Sequence, residues 1–235
     1  MTTRLHTLGA CIFALAVLGA ARGATADQII DLRSGNGTVG GADSQITFVA
    51  GPANSAWVGA LTPADFAAAD AGAAARIVTP NGAWLSPAGF PNPAARWISN
   101  SSVGGVTEGS TALFAIDFTI TDTLLTAASL SVSYSVDNRI GDPVNAGIFV
   151  NGAGLSGTGF TGNFNTVTSG IFDILSLLTT GTNTLYFLET DVGGPAGLMF
   201  TATITTEGSV AAVPAPGAGF LFGLGAAVLA LGRRR

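Results

Sequence analysis

Four acidic residues stand at or beside breaks in an otherwise apolar chain: Asp137, Asp142, Glu189 and Asp191. Two carboxylates on opposite sides of a sugar ring, about 5–9.5 Å apart, are the acid and the base or nucleophile of a glycosidase. Carboxylates solvated in turns are the other reading of the same residues. The segment Asp137-Asn138-Arg139-Ile140-Gly141-Asp142 also gathers oxygen ligands around one turn. Calcium takes carboxylate, amide and carbonyl oxygens, so Asp137, Asn138 and Asp142 are candidate ligands of a structural calcium; no other cofactor is expected. The segment lacks the regular alternation of an EF-hand loop, and an Asx-turn accounts for the same residues. Sugars stack their apolar faces on aromatic rings, while Asn and Asp bond their hydroxyls. Trp84 and Trp97 lie among Pro80, Asn81, Gly82, Pro87, Pro91 and Pro93. A loop tryptophan at a sheet end serves either as a binding platform or as a plug for the core edge. Trp84, Trp97, Asp137, Asn138 and Asn151 form the candidate ligand-binding set.

What is missing narrows the chemistry further. All nine basic residues are arginine, and the single cysteine and histidine are Cys11 and His6. Both fall in the first 26 residues, a segment expected to be removed. A mature chain without Cys, His or Lys has no disulfide, catalytic thiol, Ser-His-Asp triad, Schiff-base lysine or Cys/His zinc site. With 10% charged and 48% hydrophobic residues, the chain is not of disordered composition.

Residues 1–26 are expected to be a secretory signal peptide. Arg4 supplies the positive start, Leu8 to Ala21 the apolar run, and Ala24-Thr25-Ala26 a small-x-small site for signal peptidase. The run is shorter than the roughly 20 apolar residues of a spanning helix, and Arg22 interrupts it. At the other end, residues 210–235 carry no charge from Val210 to Gly232. They hold an apolar core from Phe220 to Leu231 and finish on Arg233, Arg234 and Arg235. That pattern predicts a short transmembrane helix with its basic end in the cytoplasm. Without both ends, Arg33, Arg76, Arg96 and Arg139 face 14 acidic residues, a net charge of −10. Such a charge opposes nucleic acid and anionic membrane surfaces as partners.

Val213-Pro214-Ala215-Pro216, a Gly- and Ala-rich apolar stretch and a terminal arginine cluster follow one another in the order of a PEP-CTERM sorting signal, which the tail resembles. Ala215 stands where the name-giving motif has glutamate. The resemblance implies transient anchoring in the inner membrane and cutting near Pro214 and Pro216 by an exosortase-type membrane protease. It further implies delivery to the surface or extracellular matrix of a Gram-negative bacterium.

Between these ends, residues 27–209 must supply the elements that position any site. Ser129 to Val136 alternates strictly, serines to one side and Leu130, Val132, Tyr134 and Val136 to the other. Thr111 to Thr121 sets Leu113 and Ala115 against Phe114, Ile116, Phe118 and Ile120. Both are period-two strands. Further strands are expected at Ile46–Ala50, Ala75–Val78, Ala146–Val150, Thr184–Glu189 and Leu198–Thr205. They are separated by Gly141-Asp142-Pro143, Asn151-Gly152, Gly181-Thr182-Asn183 and Gly193-Gly194-Pro195. A helix is expected from Thr62-Pro63-Ala64-Asp65 to Ala71, and one short turn between Asp173 and Leu178. The class is all-β, a β-sandwich or jelly roll.

Over residues 75–206, the order of Asn81-Gly82-Ala83-Trp84, Arg96-Trp97-Ile98-Ser99, Val150-Asn151-Gly152 and Gly181-Thr182-Asn183-Thr184-Leu185 is similar to the galactose-binding-like jelly roll. That resemblance implies a sandwich that serves sugar binding or acts as a spacer. The expectation is an exported, non-enzymatic protein associated with extracellular polysaccharide, with weak carbohydrate binding. A secreted glycan-active enzyme using paired carboxylates and a protein-binding surface adhesin are the alternatives.

Overall fold

The computed structural model describes residues 27–101 and 110–209. The expected signal peptide, with Ala24 and Ala26, and the expected sorting tail, with Val213, Pro214, Pro216 and Arg233 to Arg235, lie outside the described residues. Among the described residues no helix is long and apolar enough to cross a membrane.

Twelve strands follow one another: β1 (Gln28–Arg33), β2 (Ala42–Ala50), β3 (Ala73–Ile77), β4 (Ile98–Ser99), β5 (Ala112–Ile120), β6 (Leu124–Asp137), β7 (Arg139–Ile140), β8 (Ile148–Val150), β9 (Ala153–Gly154), β10 (Thr168–Asp173), β11 (Gly181–Thr190) and β12 (Gly197–Ser209). They form one antiparallel sheet in the order β10-β6-β12-β4-β3-β2-β5-β11-β8-β9, with β1 on β12 and β7 on β11. The sheet curls until its two halves face each other. Ile98 of the short β4 pairs with Leu198 on one side and Ile77 on the other, and is fully buried at that corner. Across the interior, Phe187 of β11 stacks on Phe200 of β12 at 4.3 Å. The fold is thus all-β and sandwich-like, as the alternation in the sequence requires.

The inner core takes Leu130, Val132, Tyr134 and Val136 from β6 and Phe114, Ile116, Phe118 and Ile120 from β5. Burying side chains of this size stabilises by about 1.5–3 kcal/mol each. The serines of β6 face outward for most of its length, though Ser135 is buried where the chain passes over it. Leu113 and Ala115, on the opposite face of β5, are also covered. They join Phe149, Tyr186 and Leu188 beneath the helix α1 (Pro63–Asp70). The start of α1 is fixed by Asp65, whose Oδ2 accepts from the backbone N–H and the hydroxyl of Thr62, each at 2.7 Å. Its end turns sharply at Gly72, where a Cβ would collide with the carbonyl of Phe48.

Five of the twelve strands escape the sequence expectations: the two-residue β4, β7 and β9, and the longer β1 and β10. In β1, Ile30 and Leu32 pack on the core while Ile29 is 65% exposed. Among the described residues, β10 ends the sheet path, pairs only with β6 and leaves Ile171 79% exposed. The expected short turn appears as one 3-10 turn, Leu175–Leu177.

The loop from β1 into β2 is organised by one carboxylate. Buried Asp43 accepts from the backbone N–H groups of Gly35 (2.7 Å), Asn36 (3.0 Å), Gln45 (2.9 Å) and Ile46 (3.2 Å). Replacing it strands four donors at once. Asp43→Ala is therefore expected to cost about 3 kcal/mol or more, read as a lowered urea midpoint with unchanged slope.

Candidate functional site

The two tryptophans proposed as platforms are inside the molecule. Trp84 and Trp97 are 6% and 0% exposed and pack against each other with ring centroids 4.3 Å apart. Val78, Phe90, Ala95 and Met199 surround them. The Trp97 indole donates to the carbonyl of Leu85 at 2.9 Å, and that of Trp84 to Asp137 Oδ2 at 2.7 Å. Gly197 makes the packing feasible, because a Cβ there would lie 2.7 Å from the Trp84 ring. Neither ring offers a face to a sugar. They plug the edge of the core, the alternative that their sequence context left open.

Asp137 is buried at the end of β6. Its second oxygen accepts from the Asn138 side chain at 2.8 Å, and Asn138 Oδ1 in turn accepts from the backbone of Val192. Asp191 is fully buried, with Oδ2 accepting from Asn54 N–H and Oδ1 from Gly193 N–H. Glu189 lies between these two in its electrostatics, 1% exposed, and its Oε1 has no hydrogen-bond partner. Burial, then Asp191, then Asp137 push its carboxyl well above the ordinary range. Burial also raises Asp137, with Asp191 adding to it and the Trp84 bond acting against it. The fold does bring together three of the four carboxylates singled out in the sequence. It closes them away from solvent, where no glycosidic bond can reach.

Asp142 does not join them. Its Oδ1 accepts from the backbone N–H groups of Val144 (2.8 Å) and Asn145 (2.7 Å), and its Oδ2 from the Asn145 side chain (2.9 Å). This is an Asx-turn. Asn145 continues the chain of contacts, accepting from Leu61 N–H and donating to the Gly59 carbonyl, and so ties the approach to α1 onto the turn before β8. In the candidate calcium set the side-chain oxygens of Asp137, Asn138 and Asp142 accept hydrogen bonds from protein donors, and Asp142 stands apart from Asp137 in its own turn. Among the described residues, no group of three or more acidic, His or Cys side chains is arranged to hold a metal ion. Arg139, within the same segment, lays its guanidinium over Phe160 at 4.4 Å.

Asn151 is also a structural residue. It sits at the turn between β8 and β9 with a φ of 50°, a left-handed conformation that asparagine tolerates. Its side chain donates to Asn183 Oδ1 and to the Leu177 carbonyl, each at 2.8 Å, and accepts from Thr184 N–H at 2.9 Å. Asn183, buried, donates onward to the carbonyls of Thr179 and Gly181. Val150-Asn151-Gly152 and Gly181-Thr182-Asn183-Thr184 therefore interlock directly.

Beside this lock opens a cleft of about 410 Å³, lined by Leu61, Pro63, Phe66, Asp70, Asn151 and Tyr186 among others. Half-buried Phe66 meets Tyr186 and Phe149 edge-on, with centroids 4.9 and 5.2 Å apart. The Tyr186 hydroxyl donates to Asp70 Oδ2 at 3.0 Å. On the neighbouring strand, exposed Asp117 accepts from the Thr184 hydroxyl at 2.7 Å. Burial and the hydrogen bond to Asp70 push the Tyr186 phenol up to about 12. Burial raises Asp70, the Tyr186 bond counters it, and Asp117 adds to it. Sequence reasoning missed these residues. The signal was β5, whose two apolar faces demand a cover on each side, with the capped helix carrying Phe66 as the element free to supply one.

No protein-family model matches the chain, and no curated protein matches it. Solved structures that match include Arthrobacter globiformis T6 isomalto-dextranase complexed with panose, at 11% identity and a TM-score of 0.28, over 77% of this chain and 33% of that one. The chain spans about a third of that enzyme's length.

Two predictions test the roles assigned here. The fold favours the protonated form of Glu189. Its contribution is therefore most favourable below the ordinary carboxylate value of 4.5 and declines as pH rises toward the folded value. Glu189→Gln should raise the melting temperature at pH ~8, by about 2–4 °C per kcal/mol for a domain of this size, and leave it unchanged at pH ~4. A loss at both pH values would mean that the carboxylate is held ionised. Second, Asn183→Ala should cost about 2–4 kcal/mol and Asn151→Ala about 1–2. The double variant should lose less than the sum, since the two share a bond; urea unfolding of the four proteins measures this.

Proposed function

We propose that the chain is an exported, non-enzymatic protein of the galactose-binding-like jelly-roll type. A signal peptide of residues 1–26 directs it out, and a PEP-CTERM-like tail of residues 210–235 holds it briefly in the inner membrane. Signal peptidase and then an exosortase-type protease process it. It ends at the cell surface or in the extracellular matrix, associated with polysaccharide that it binds weakly.

One observation carries the non-enzymatic part of this reading. The clustered carboxylates Asp137, Glu189 and Asp191 are 5%, 1% and 0% exposed. An acid–base pair for glycoside cleavage has to flank a bound sugar, and these flank only protein. Lacking Cys, His and Lys, the processed chain also has few other groups for nucleophilic chemistry. The polysaccharide part draws support from the acidic, lysine-free composition, which disfavours nucleic acid and anionic membranes and leaves neutral or cationic polymers.

The adhesin reading has one observation in its favour. Among the described residues, edge strand β10 has a partner on one side only and exposes Ile171, the kind of edge to which another strand adds.

The export reading is tested by the intact mass of the protein recovered from culture medium and envelope. The expected mass starts at Asp27 and ends near Pro214. Deleting Arg233–Arg235 should cause retention or misprocessing. Unchanged export and tail cleavage without the arginines would overturn the sorting assignment.

A further inference from the structure

Asparagine followed by glycine occurs three times in the chain, at Asn36-Gly37, Asn81-Gly82 and Asn151-Gly152. Without a Cβ beside it, the glycine N–H is open to attack the carboxamide that precedes it, which makes such asparagines thermolabile. The fold treats the three pairs differently. Asn151 is held at a φ of 50° with its side chain in three hydrogen bonds. The Asn36 carboxamide donates to the Arg33 carbonyl at 2.9 Å, and the Gly37 N–H is engaged with the Gly35 carbonyl at 3.2 Å. Asn81 and Gly82 are exposed, on the turn that leads into Trp84. Among the described residues, neither the Asn81 carboxamide nitrogen nor the Gly82 N–H meets an acceptor. Asn81 Oδ1 accepts from Ala83 N–H at 3.1 Å, a donor placed where negative charge gathers when Cγ is attacked. Nor does the turn require a glycine. Gly82 takes no left-handed φ, and a Cβ there would meet nothing within 4 Å, whereas Gly152 holds a φ of 82°.

We propose that Asn81 is a self-modification site, converted to aspartate and isoaspartate in the folded protein while Asn36 and Asn151 are protected. The Gly82 nitrogen gives up its proton and bonds to Cγ of Asn81. The Cγ–Nδ2 bond breaks, and the amide nitrogen leaves with that proton as ammonia. Water then opens the cyclic imide at either carbonyl, giving aspartate or isoaspartate. Both products add a negative charge to an already acidic chain. They differ at the turn, where the Asn81 carbonyl accepts from Trp84 N–H at 2.9 Å. Aspartate keeps that turn, since its carboxylate accepts from Ala83 N–H as the carboxamide does. Isoaspartate routes the main chain through Cβ and Cγ, lengthens it by a carbon and leaves the old carbonyl as a free carboxylate. The turn that sets Trp84 against Trp97 is then the wrong length. The inference stands apart from the polysaccharide reading.

Peptide mapping by mass spectrometry, after timed incubation of the protein purified from its host at mildly alkaline pH, tests this. Trypsin cuts the lysine-free chain only at arginine, so Asn36, Asn81 and Asn151 fall on separate fragments, Asn81 on Ile77–Arg96. Asn92, on the same fragment, precedes Pro93, which has no N–H to attack. In the folded protein Asn81 should lose its amide at least about tenfold faster than either of the others, the effect of their hydrogen bonds on the barrier. In urea, where those bonds are gone, the three should convert at comparable rates. Gly82→Ala should slow the loss at Asn81 to the rate of the protected pairs, with the melting temperature unchanged. Isoaspartyl protein should melt below the Asn81→Asp variant, which keeps the turn. Asn36 or Asn151 converting as fast as Asn81 in the folded protein overturns the selection by the fold, and that comparison needs no variant. Loss at Asn81 that Gly82→Ala does not slow overturns the imide route. Isoaspartyl protein that melts with Asn81→Asp overturns the consequence at Trp84.

Discussion

A sheet curled into two facing layers buries the ends of its strands as well as their sides. Connecting segments there carry backbone N–H groups that no ladder reaches, and a buried donor left alone costs as much as a lost hydrogen bond. In this chain carboxylates and carboxamides take that burden. Asp43 gathers four N–H groups, Asp142 two, Asp191 two, and Asn183 and Asn151 hold a loop and a strand start together. The chain has few charged groups, and much of its acidity is committed to this task. The sandwich core, the position of α1 and the shape of the cleft all depend on loops fixed in this way.

The same constraint separates residues that act on the protein from those free to act on something else. Asp137, Asp142 and Asn151 invite a ligand when read as a list of oxygen atoms; in the fold their oxygens already have donors. Asp70 differs. It closes α1, is exposed, and accepts a hydrogen bond from a tyrosine that itself lines the cleft. Glu189 differs in the other direction, being buried with an oxygen that meets no donor. Its neutral form fits this position, since two nearby carboxylates raise the cost of a third charge.

Strand positions were legible wherever one face was apolar and the other polar. Ser129 to Val136 lies within β6, and the two faces of Thr111 to Thr121 separate in β5 as their alternation requires. The helix was legible from Thr62, Pro63 and Asp65, although the Thr62 hydroxyl donates to Asp65 instead of capping a backbone N–H. β1 was not legible because two isoleucines stand side by side in it, and β10 because Gly170 and an outward Ile171 blur its period. Asn151 and Asn183 were noticed for their spacing, and their pairing gives that spacing its reason. The site residues were hardest to read. Whether an Asp or Trp faces water depends on which loops fold over it, and one-dimensional patterns do not contain that. Trp84 turns inward because a glycine on β12 leaves room for it.

The contact between Trp84 and Trp97 reaches beyond packing. Two indoles in contact and shut off from water share their excitation and emit as a shielded pair, toward shorter wavelengths. Trp57 packs separately, against the cluster of Ala69, Leu113, Ala115, Phe149, Tyr186 and Leu188. The emission spectrum of the folded protein is therefore a sum of two signals with different meanings. The blue part reports whether the layer around Met199 is assembled, and the part from Trp57 reports the neighbourhood of α1. Loosening of α1 and unfolding of the layer around Met199 would leave different optical traces in the same unlabelled sample.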